Sequence, residues 1–159
     1  MLLFTGEYEL TLDEKYRLSI PSRVREQVWP GDVSEGFYLI PGANRVLCLY
    51  PEVYFQRLAL AGAPRKVALD EKLAYERVNF GLASRVELDR QGRVLLGEKS
   101  VKRAHLKEQV TLVGVRDHLE IWDRAVWDKY VEDQMVCQEE VFLQVREEAL
   151  GKERETAGM

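Results

Sequence analysis

Two clusters of basic residues are the part of this sequence whose residue types and spacing could do chemistry. The first cluster places four cations within eleven positions, with no acid between the first and the last: Lys15, Arg17, Arg23 and Arg25. The second cluster contains Arg90, Arg93, Lys99, Lys102 and Arg103. Both side-chain types bond phosphate oxygens, and arginine also reaches guanine edges through two parallel hydrogen bonds. One such cluster is explained equally well as a solvated basic surface, but two in one short chain predict a two-part surface that contacts DNA.

Each basic cluster includes an arginine that follows an aspartate by four residues. Asp13 precedes Arg17, and Asp89 precedes Arg93. Ion pairing and turn capping explain the two aspartates better than acid–base work by a carboxylate pair. Similar apolar residues follow each arginine, and similar strand and helix patterns come after them in the same order. Such an ordered series indicates two copies of one supersecondary unit.

Short elements must hold these residues in place. Alternating apolar and polar residues predict a first strand over residues 5–13, and a turn at residues 14–17 leads into a second, shorter strand. Pro21 ends that strand, and Ser22 is a suitable N-cap for a short helix over residues 23–28. The pattern then predicts a loop at residues 29–32 and a hairpin of strands 36–40 and 46–50. A helix from Pro51 follows, with a break at residues 62–64. The next helix is predicted over residues 65–79, with Gly81 as its end. The second copy begins at Ser84.

The last helix of the second copy is predicted to be longer than its counterpart in the first. It begins at Arg124 and ends at Leu150, with Gly151 closing it. An apolar stripe runs along it, formed by Val131, Met135, Phe142, Val145 and Ala149. This stripe fits packing on its own domain and a contact between subunits equally well. Residues 152–159 are polar and are predicted to be disordered.

Composition bounds the class of protein. With 159 residues, 46% hydrophobic and 31% charged, the sequence is typical of a globular chain. No apolar run approaches the length of a membrane span, and the N-terminus lacks a signal-peptide pattern. Cys48 in an apolar strand and Cys137 in a charged helix predict reduced thiols in a cytosol. The net charge of −4 argues against a chain that is basic throughout, but it leaves room for a local basic patch.

No catalytic or metal site is predicted. Residues 92–100 resemble a phosphate-binding loop, but Glu98 separates the second glycine from the lysine, and the residues between the glycines are typical of a strand. His105 and His118 are the only histidines, and neither belongs to a spaced ligand cluster with cysteine. No Gly-x-Ser-x-Gly elbow is present. We therefore expect no enzyme activity, no cofactor, no metal and no small-molecule substrate.

The paired motifs resemble those of a known family. The Asp-x-x-x-Arg motif, followed by Leu-Ser-Ile-Pro and a short basic helix, resembles the DNA-binding element of AbrB/SpoVT-type regulators. Two copies in one chain, with Gly-Glu-Tyr near the start and Leu-Val-Gly-Val and Ile-Trp-Asp in the second half, resemble the MraZ family over about residues 1–130. The resemblance implies an α+β fold of two tandem AbrB-like, swapped-hairpin-like β-barrel repeats with flanking helices and a C-terminal helix. It also implies a cytoplasmic, nucleoid-associated transcriptional regulator. Its subunits would form a ring that binds double-stranded DNA at short direct repeats upstream of the division and cell-wall gene cluster.

This resemblance divides the chain into repeat 1 at residues 5–62, a linker helix at 63–81, repeat 2 at 82–130, and a C-terminal helix with a flexible tail at 131–159. Tyr16 stands where the family has glycine, so a left-handed turn there would be strained. Gly97 stands where the family has proline, and Val101 falls opposite Arg25. The main alternative is a protein-interaction module of antitoxin-like type, whose basic patches bind an acidic partner.

Overall fold

The computed structural model of the chain describes residues 3–28, 36–61 and 68–158. Its strands are β1 (Glu7–Thr11), β2 (Arg17–Ser19), β3 (Phe37–Pro41), β4 (Leu47–Pro51), β5 (Ser84–Val86), β6 (Arg93–Leu95), β7 (Gln109–Val115) and β8 (His118–Asp123). Its α-helices are α1 (Ser22–Val28), α2 (Glu52–Leu60), α3 (Leu69–Gly81), α4 (Glu98–Arg103), α5 (Arg124–Cys137) and α6 (Glu139–Ala157). The predicted loop at 29–32 and the predicted break at 62–64 lie outside the described residues. Among the helices described, none is both long enough and apolar enough to cross a membrane.

The sequence patterns place most of these elements correctly. Along β1 the side chains alternate between exposed and half-buried, as the alternation of polar and apolar residues predicts. The predicted hairpin is confirmed, since β3 pairs with β4 in an antiparallel register. Pro51 is the last residue of β4, so α2 begins at Glu52, one residue later than predicted. Helix α3 ends at Gly81 as predicted. The chain therefore has the predicted α+β fold.

Strands from both halves of the chain are interleaved in the main sheet. Among the described residues, this sheet has six strands in the order β1-β7-β8-β4-β3-β5, and a separate two-stranded sheet pairs β2 with β6. Each pairing that the structure records between these strands is antiparallel. The first strand of each half pairs with the hairpin of the other half, because β1 lies on β7 and β5 lies on β3. If each strand is exchanged for its counterpart in the other half, the same strand order results, read from the opposite edge of the sheet.

The main core lies on one face of the six-stranded sheet. Leu39, Leu49 and Leu112 of that sheet are buried together with Leu18 of β2 and Val94 of β6. The same cluster includes Val24 of α1 and Val101 of α4, so the two-stranded sheet and both short helices pack on this face. A smaller cluster of Ile40, Cys48 and Phe55 lies on the opposite face, since residues alternate between the faces along β4. The two-stranded sheet is thus fixed on the larger core by buried side chains.

The C-terminal segment differs from the prediction and forms a compact unit of its own from Ala125 onward. One helix was predicted from Arg124 to Leu150, but α5 ends at Cys137 and α6 begins at Glu139. Two glutamates in the first turn of α6 favour a new start there, because they complement the positive end of the helix dipole. The prediction that Gly151 closes the helix was wrong. A glycine inside a helix costs only about 1 kcal/mol, and the predicted disordered tail continues α6 to Ala157.

Candidate nucleic-acid interface

The first basic turn is built on the side chain of Asp13. Its Oδ1 atom accepts hydrogen bonds from the backbone N–H groups of Lys15 and Arg17, both at 2.9 Å. Its Oδ2 atom accepts a hydrogen bond from Arg17 Nε at 2.7 Å. The backbone of Tyr16 closes the turn by donating to the Asp13 carbonyl at 3.0 Å. The aspartate therefore both caps the turn and fixes the direction of the Arg17 side chain.

The second basic turn repeats this scheme atom for atom. Asp89 Oδ1 accepts hydrogen bonds from the backbone N–H groups of Gln91 at 2.8 Å and Arg93 at 3.0 Å. Asp89 Oδ2 accepts a hydrogen bond from Arg93 Nε at 2.8 Å, and the backbone of Gly92 closes the turn at 3.0 Å. Among the described residues, the hydrogen bonds within each turn engage only the Nε atom of its arginine. The outer nitrogens of both guanidinium groups can therefore bond another molecule.

The two turns are brought together by the small sheet of β2 and β6. Its register pairs Leu18 with Val94 at the centre, and both side chains are buried. Two further backbone bonds join each turn to the other half, from Ile20 N–H to the Gly92 carbonyl at 2.9 Å and from Leu96 N–H to the Tyr16 carbonyl at 3.0 Å. The Asp–Arg pairs consequently lie side by side, and Arg93 Nη1 is 4.0 Å from Oδ2 of Asp13.

Helix α1 lies against the turn of the opposite half. The Arg25 guanidinium covers Gly92, because a Cβ atom at that glycine would be only 2.8 Å from Arg25 Cζ. Within the part of the chain that is described, the buried Nε of Arg25 has no hydrogen-bond partner. On α4, the ammonium group of Lys102 donates a hydrogen bond to Glu98 at 2.6 Å. Within the described part of the chain, Arg25 therefore joins the paired turns without a carboxylate partner, whereas Lys102 is already bound to an acid.

The remaining basic residues lie farther from this centre or at its margin. Lys15 and Arg90 are exposed at the tips of the two turns. Lys99 and Arg103 are exposed on α4. Arg23 lines a shallow depression beside Gly6 and Tyr8, next to the start of β1. Val101, which falls opposite Arg25 in sequence, is buried in the main core. At the position of α4 that corresponds to Arg25, the side chain therefore packs in the core and carries no charge.

Both turns contain a residue with a left-handed backbone at the same position. Gly92 has φ +76°, and Tyr16 has φ +60° at the matching place in the first turn. Tyrosine accordingly adopts the same left-handed turn as glycine, with the backbone strain that the sequence predicts for such a turn. The Tyr16 side chain packs against the main core, which offsets part of the backbone strain. The two halves also differ just before their short helices. Gly97 precedes α4 and has φ +84°. Pro21 is the matching residue of the first half, and its ring prevents this backbone angle.

The strain at Tyr16 gives a testable difference between two variants. Both Tyr16→Gly and Tyr16→Ala remove the packed ring, but only glycine also relieves the left-handed backbone. We expect Tyr16→Gly to be more stable than Tyr16→Ala by about 1 kcal/mol, after allowing for the entropy of glycine in the unfolded chain. Urea unfolding of the two variants measures this difference. Gly92→Ala serves as the reciprocal change and should destabilise the protein by at least as much. Equal stability of the two Tyr16 variants would show that the turn is not left-handed in solution.

The hydrogen bonds in both turns keep the aspartates ionised. The backbone N–H of Arg17 has the largest effect and lowers the pKa of Asp13, partial burial opposes it, and the Arg17 side chain lowers the pKa further. The backbone N–H of Arg93 acts in the same way on the pKa of Asp89. On α4, the hydrogen bond from Lys102 lowers the pKa of Glu98, and it raises the pKa of Lys102. The charged aspartates therefore orient both arginines at neutral pH.

Acidic residues are concentrated away from the paired turns in sequence. Residues 125–159 contain nine of the 27 acidic and four of the 23 basic residues, a net charge of −5. The first 124 residues contain the other 18 acids and 19 bases, a net charge of +1. The overall net charge of −4 is thus the sum of two segments of opposite sign. A negative total charge is compatible with a local surface that attracts a polyanion.

One group of potentially functional residues was missed by the sequence prediction. His118 lies beside Cys48 and Glu120, although no ligand spacing connects these residues in sequence. Burial lowers the pKa of His118, but hydrogen bonds with Cys48, Glu120 and Asp117 outweigh it and raise this pKa to about 10. The signal in the sequence was weak, because Cys48 and His118 meet only when β4 pairs with β8. The interpretation of Cys48 as a buried core residue is confirmed.

Comparison with known proteins gives consistent similarities. A family model described as "MraZ protein, putative antitoxin-like" matches residues 80–151. A protein from Finegoldia magna named Transcriptional regulator MraZ is 31% identical over 131 residues, 82% of this chain and 88% of that protein. Proteins with the same name from Roseiflexus castenholzii and Heliobacterium modesticaldum are similar as well. The first is 34% identical over 125 residues, covering 79% of this chain and 84% of that protein. The second is 32% identical over 139 residues, covering 87% of this chain and 94% of that protein.

Proposed function

The chain belongs to the MraZ family, and on that premise we propose that it is a sequence-specific DNA-binding regulator of transcription. The observation that carries this proposal is the pairing of the two Asp–Arg turns by β2 and β6. Two arginines whose side chains are held in a fixed direction then lie side by side on one surface. Such an arrangement suits bidentate recognition of phosphates or guanine edges. The relatives' name, Transcriptional regulator MraZ, is consistent with this role.

The proposed contact residues divide by their environment. Arg17, Arg93 and Arg25 form the centre, where hydrogen bonds or packing hold each guanidinium in place. Exposed cations at the margin contact the phosphate backbone, which adds affinity without sequence information. These are Lys15, Arg23, Arg90, Lys99 and Arg103. Lys102 contributes less, since Glu98 already neutralises it and DNA would have to displace that acid. Asp13 and Asp89 act as turn residues that position the arginines.

The finer architecture is part of the same proposal. We assign residues 5–62 and 82–130 as two AbrB-like, swapped-hairpin repeats of a β-barrel, joined by a linker helix at 63–81 and followed by a C-terminal helical segment at 131–159. The unchanged strand order on exchange of the two halves supports this assignment. We further propose that the subunits form a ring in the cytoplasm, at the nucleoid. Exposed apolar side chains on α6, among them Phe142 and Val145, support contacts between subunits.

The target proposed for the ring is a set of short direct repeats upstream of the division and cell-wall gene cluster. A band-shift experiment tests this target directly. The probe is that promoter fragment from the source genome, and the control is a scrambled fragment of equal length and base composition. At a stated salt concentration near 0.15 M, we expect the promoter fragment to bind at least about 10³-fold more tightly, as is typical of specific complexes. Equal affinity for both fragments would contradict sequence-specific binding.

The second candidate function is a protein-interaction module with an acidic partner. The description of the matching family model as antitoxin-like favours keeping this alternative. The paired turns would then bind carboxylates of a protein instead of phosphates. The same band-shift separates the two functions, because an interaction module has no reason to prefer the promoter over scrambled DNA.

A further inference from the structure

Three side chains with metal-ligand chemistry meet on the face of the main sheet opposite the basic turns. Cys48 lies on β4, and His118 and Glu120 lie on β8. The strand register places Cys48 directly across from Glu120. The Cys48 Sγ atom, a ring nitrogen of His118 and a carboxylate oxygen of Glu120 all lie within 4.8 Å of one another. Such separations are close to those between ligand atoms around one metal ion, which binds sulfur at about 2.3 Å and nitrogen or oxygen at about 2.0–2.2 Å.

Both polar ligands are held in place by second partners. His118 Nδ1 lies 2.7 Å from Oδ1 of Asp117, and the other oxygen of Asp117 accepts a hydrogen bond from Tyr54 at 2.7 Å. This contact anchors Nδ1 and directs Nε2 toward Glu120, whose Oε2 atom is 3.2 Å away. The Oε1 atom of Glu120 accepts a hydrogen bond from Trp122 Nε1 at 2.9 Å. A histidine anchored by a carboxylate through its far nitrogen is the usual outer arrangement of zinc sites.

The cluster is shielded and still has a route from solvent. Cys48 is only 5% exposed, and the ring of Tyr50 stacks on His118 with centroids 4.7 Å apart. Gly42 leaves room for the sulfur, since a Cβ atom there would be 2.6 Å from Sγ. A cavity of about 810 Å³ between α2, α3 and the β3–β4 hairpin is lined in part by Cys48 and Tyr50. This cavity gives an ion access to the sulfur side of the cluster.

We propose that Cys48, His118 and Glu120 form a site for one Zn²⁺-type transition-metal ion. A thiolate and an imidazole select such ions over Mg²⁺ and Ca²⁺, which prefer oxygen ligands. Binding releases the thiol proton of Cys48 and the proton that occupies Nε2 of His118, and both protons pass to solvent. Three protein ligands leave a fourth position for water. The ion would link β4 of the first half to β8 of the second.

The two cysteines and two histidines of the chain provide matched controls. Cys48→Ser, His118→Gln and Glu120→Gln each remove one proposed ligand. Cys137→Ser and His105→Gln change the only other residues of those two types, both of which are exposed. Asp117→Asn keeps all three ligands but weakens the anchor of His118, so the affinity should fall by about 10- to 100-fold without loss of the site.

The full chain, treated with a chelator and then dialysed, is titrated with ZnCl₂ in a calorimeter and with CoCl₂ in a spectrophotometer. We expect one ion per chain and a thiolate-to-cobalt charge-transfer band in the near ultraviolet. The band persists in Cys137→Ser and His105→Gln and is lost in Cys48→Ser. Zinc at about a hundredfold above its dissociation constant should raise the melting temperature of the wild type by about 5–10 °C.

Absence of the cobalt band in the wild type overturns the proposal, and so does a band that disappears equally in Cys137→Ser. Either result would leave the cluster as a hydrogen-bonded network without metal. Should Cys48→Ser fail to fold, the wild-type band and the calorimetry of Glu120→Gln decide the matter. That variant keeps the volume of the side chain and an oxygen for Trp122. Unchanged zinc affinity in folded Glu120→Gln would remove Glu120 from the site.

Discussion

Affinity for DNA that carries three tandem repeats is expected to exceed affinity for one repeat by a factor on the order of 10²–10⁴. One chain offers only the small surface around Arg17 and Arg93, and its net charge is −4. A single contact of this size should bind weakly at physiological salt. In the proposed ring, binding of the first repeat raises the effective concentration of the next subunit near the second repeat. Fluorescence anisotropy with probes of one, two and three repeats, at equal total length, measures the gain.

The spacing between repeats supplies the control for this prediction. Inserting about 5 base pairs, half a helical turn, places alternate repeats on the far side of the duplex. The affinity for the three-repeat probe should then fall back toward that for one repeat. Inserting a full turn of about 10 base pairs should restore part of it. If one repeat binds as tightly as three, each chain reads DNA independently and the multivalent mechanism is wrong.

Replacing Arg17 or Arg25 with alanine is expected to weaken DNA binding by about 1–3 kcal/mol where the arginine contacts a guanine pair. If the arginine contacts only phosphate, the slope of the logarithm of affinity against the logarithm of salt concentration should become shallower by about one unit. Arg17→Lys separates the two roles, because lysine keeps the charge but not the planar pair of donors. Its salt dependence should stay the same while its affinity for the specific site falls.

Arg57→Ala is a matched control for these variants. Arg57 is exposed on α2, which packs through Phe55 on the sheet face opposite the basic turns. Its loss removes the same charge and should leave specific affinity nearly unchanged. Arg25 also covers Gly92, so Arg25→Ala must be compared with wild type in urea unfolding before binding is interpreted. Unchanged affinity and salt dependence in folded Arg17→Ala and Arg25→Ala would contradict their assignment to the interface.

The parts of the fold that could be predicted depend on local patterns. The Asp13 turn, the strand after it and the helix beginning near Ser22 all follow from short-range chemistry, and the structure has them within one residue. The end of the long C-terminal helix was not predictable in the same way. A glycine costs too little to stop a helix whose following residues are good helix formers, so Gly151 was a weak signal.

Features that depend on distant pairing could not be found from spacing alone. The contact between Arg25 and Gly92 joins α1 to the turn of the other half, and no local pattern indicates it. The cluster of Cys48, His118 and Glu120 requires the register between β4 and β8, which single-sequence patterns do not specify. Tyr16 illustrates the opposite case. The left-handed turn there could be inferred from the second copy, because Gly92 occupies the matching position.

The exchange of first strands between the two halves determines when the chain can fold during its synthesis. Glu7 pairs with Val113, so β1 has no partner strand among the described residues until more than 100 further residues have been translated. At about 5–20 residues per second, this delay is on the order of 5–20 s. For the earlier part of that time, until β5 is translated, the β3 edge that will bind β5 is also unpaired, and an unpaired edge can bind a neighbouring nascent chain. Ribosomes spaced closely on one message would therefore bring together strands that can pair in trans, between two chains, before the partner strand in cis has been made.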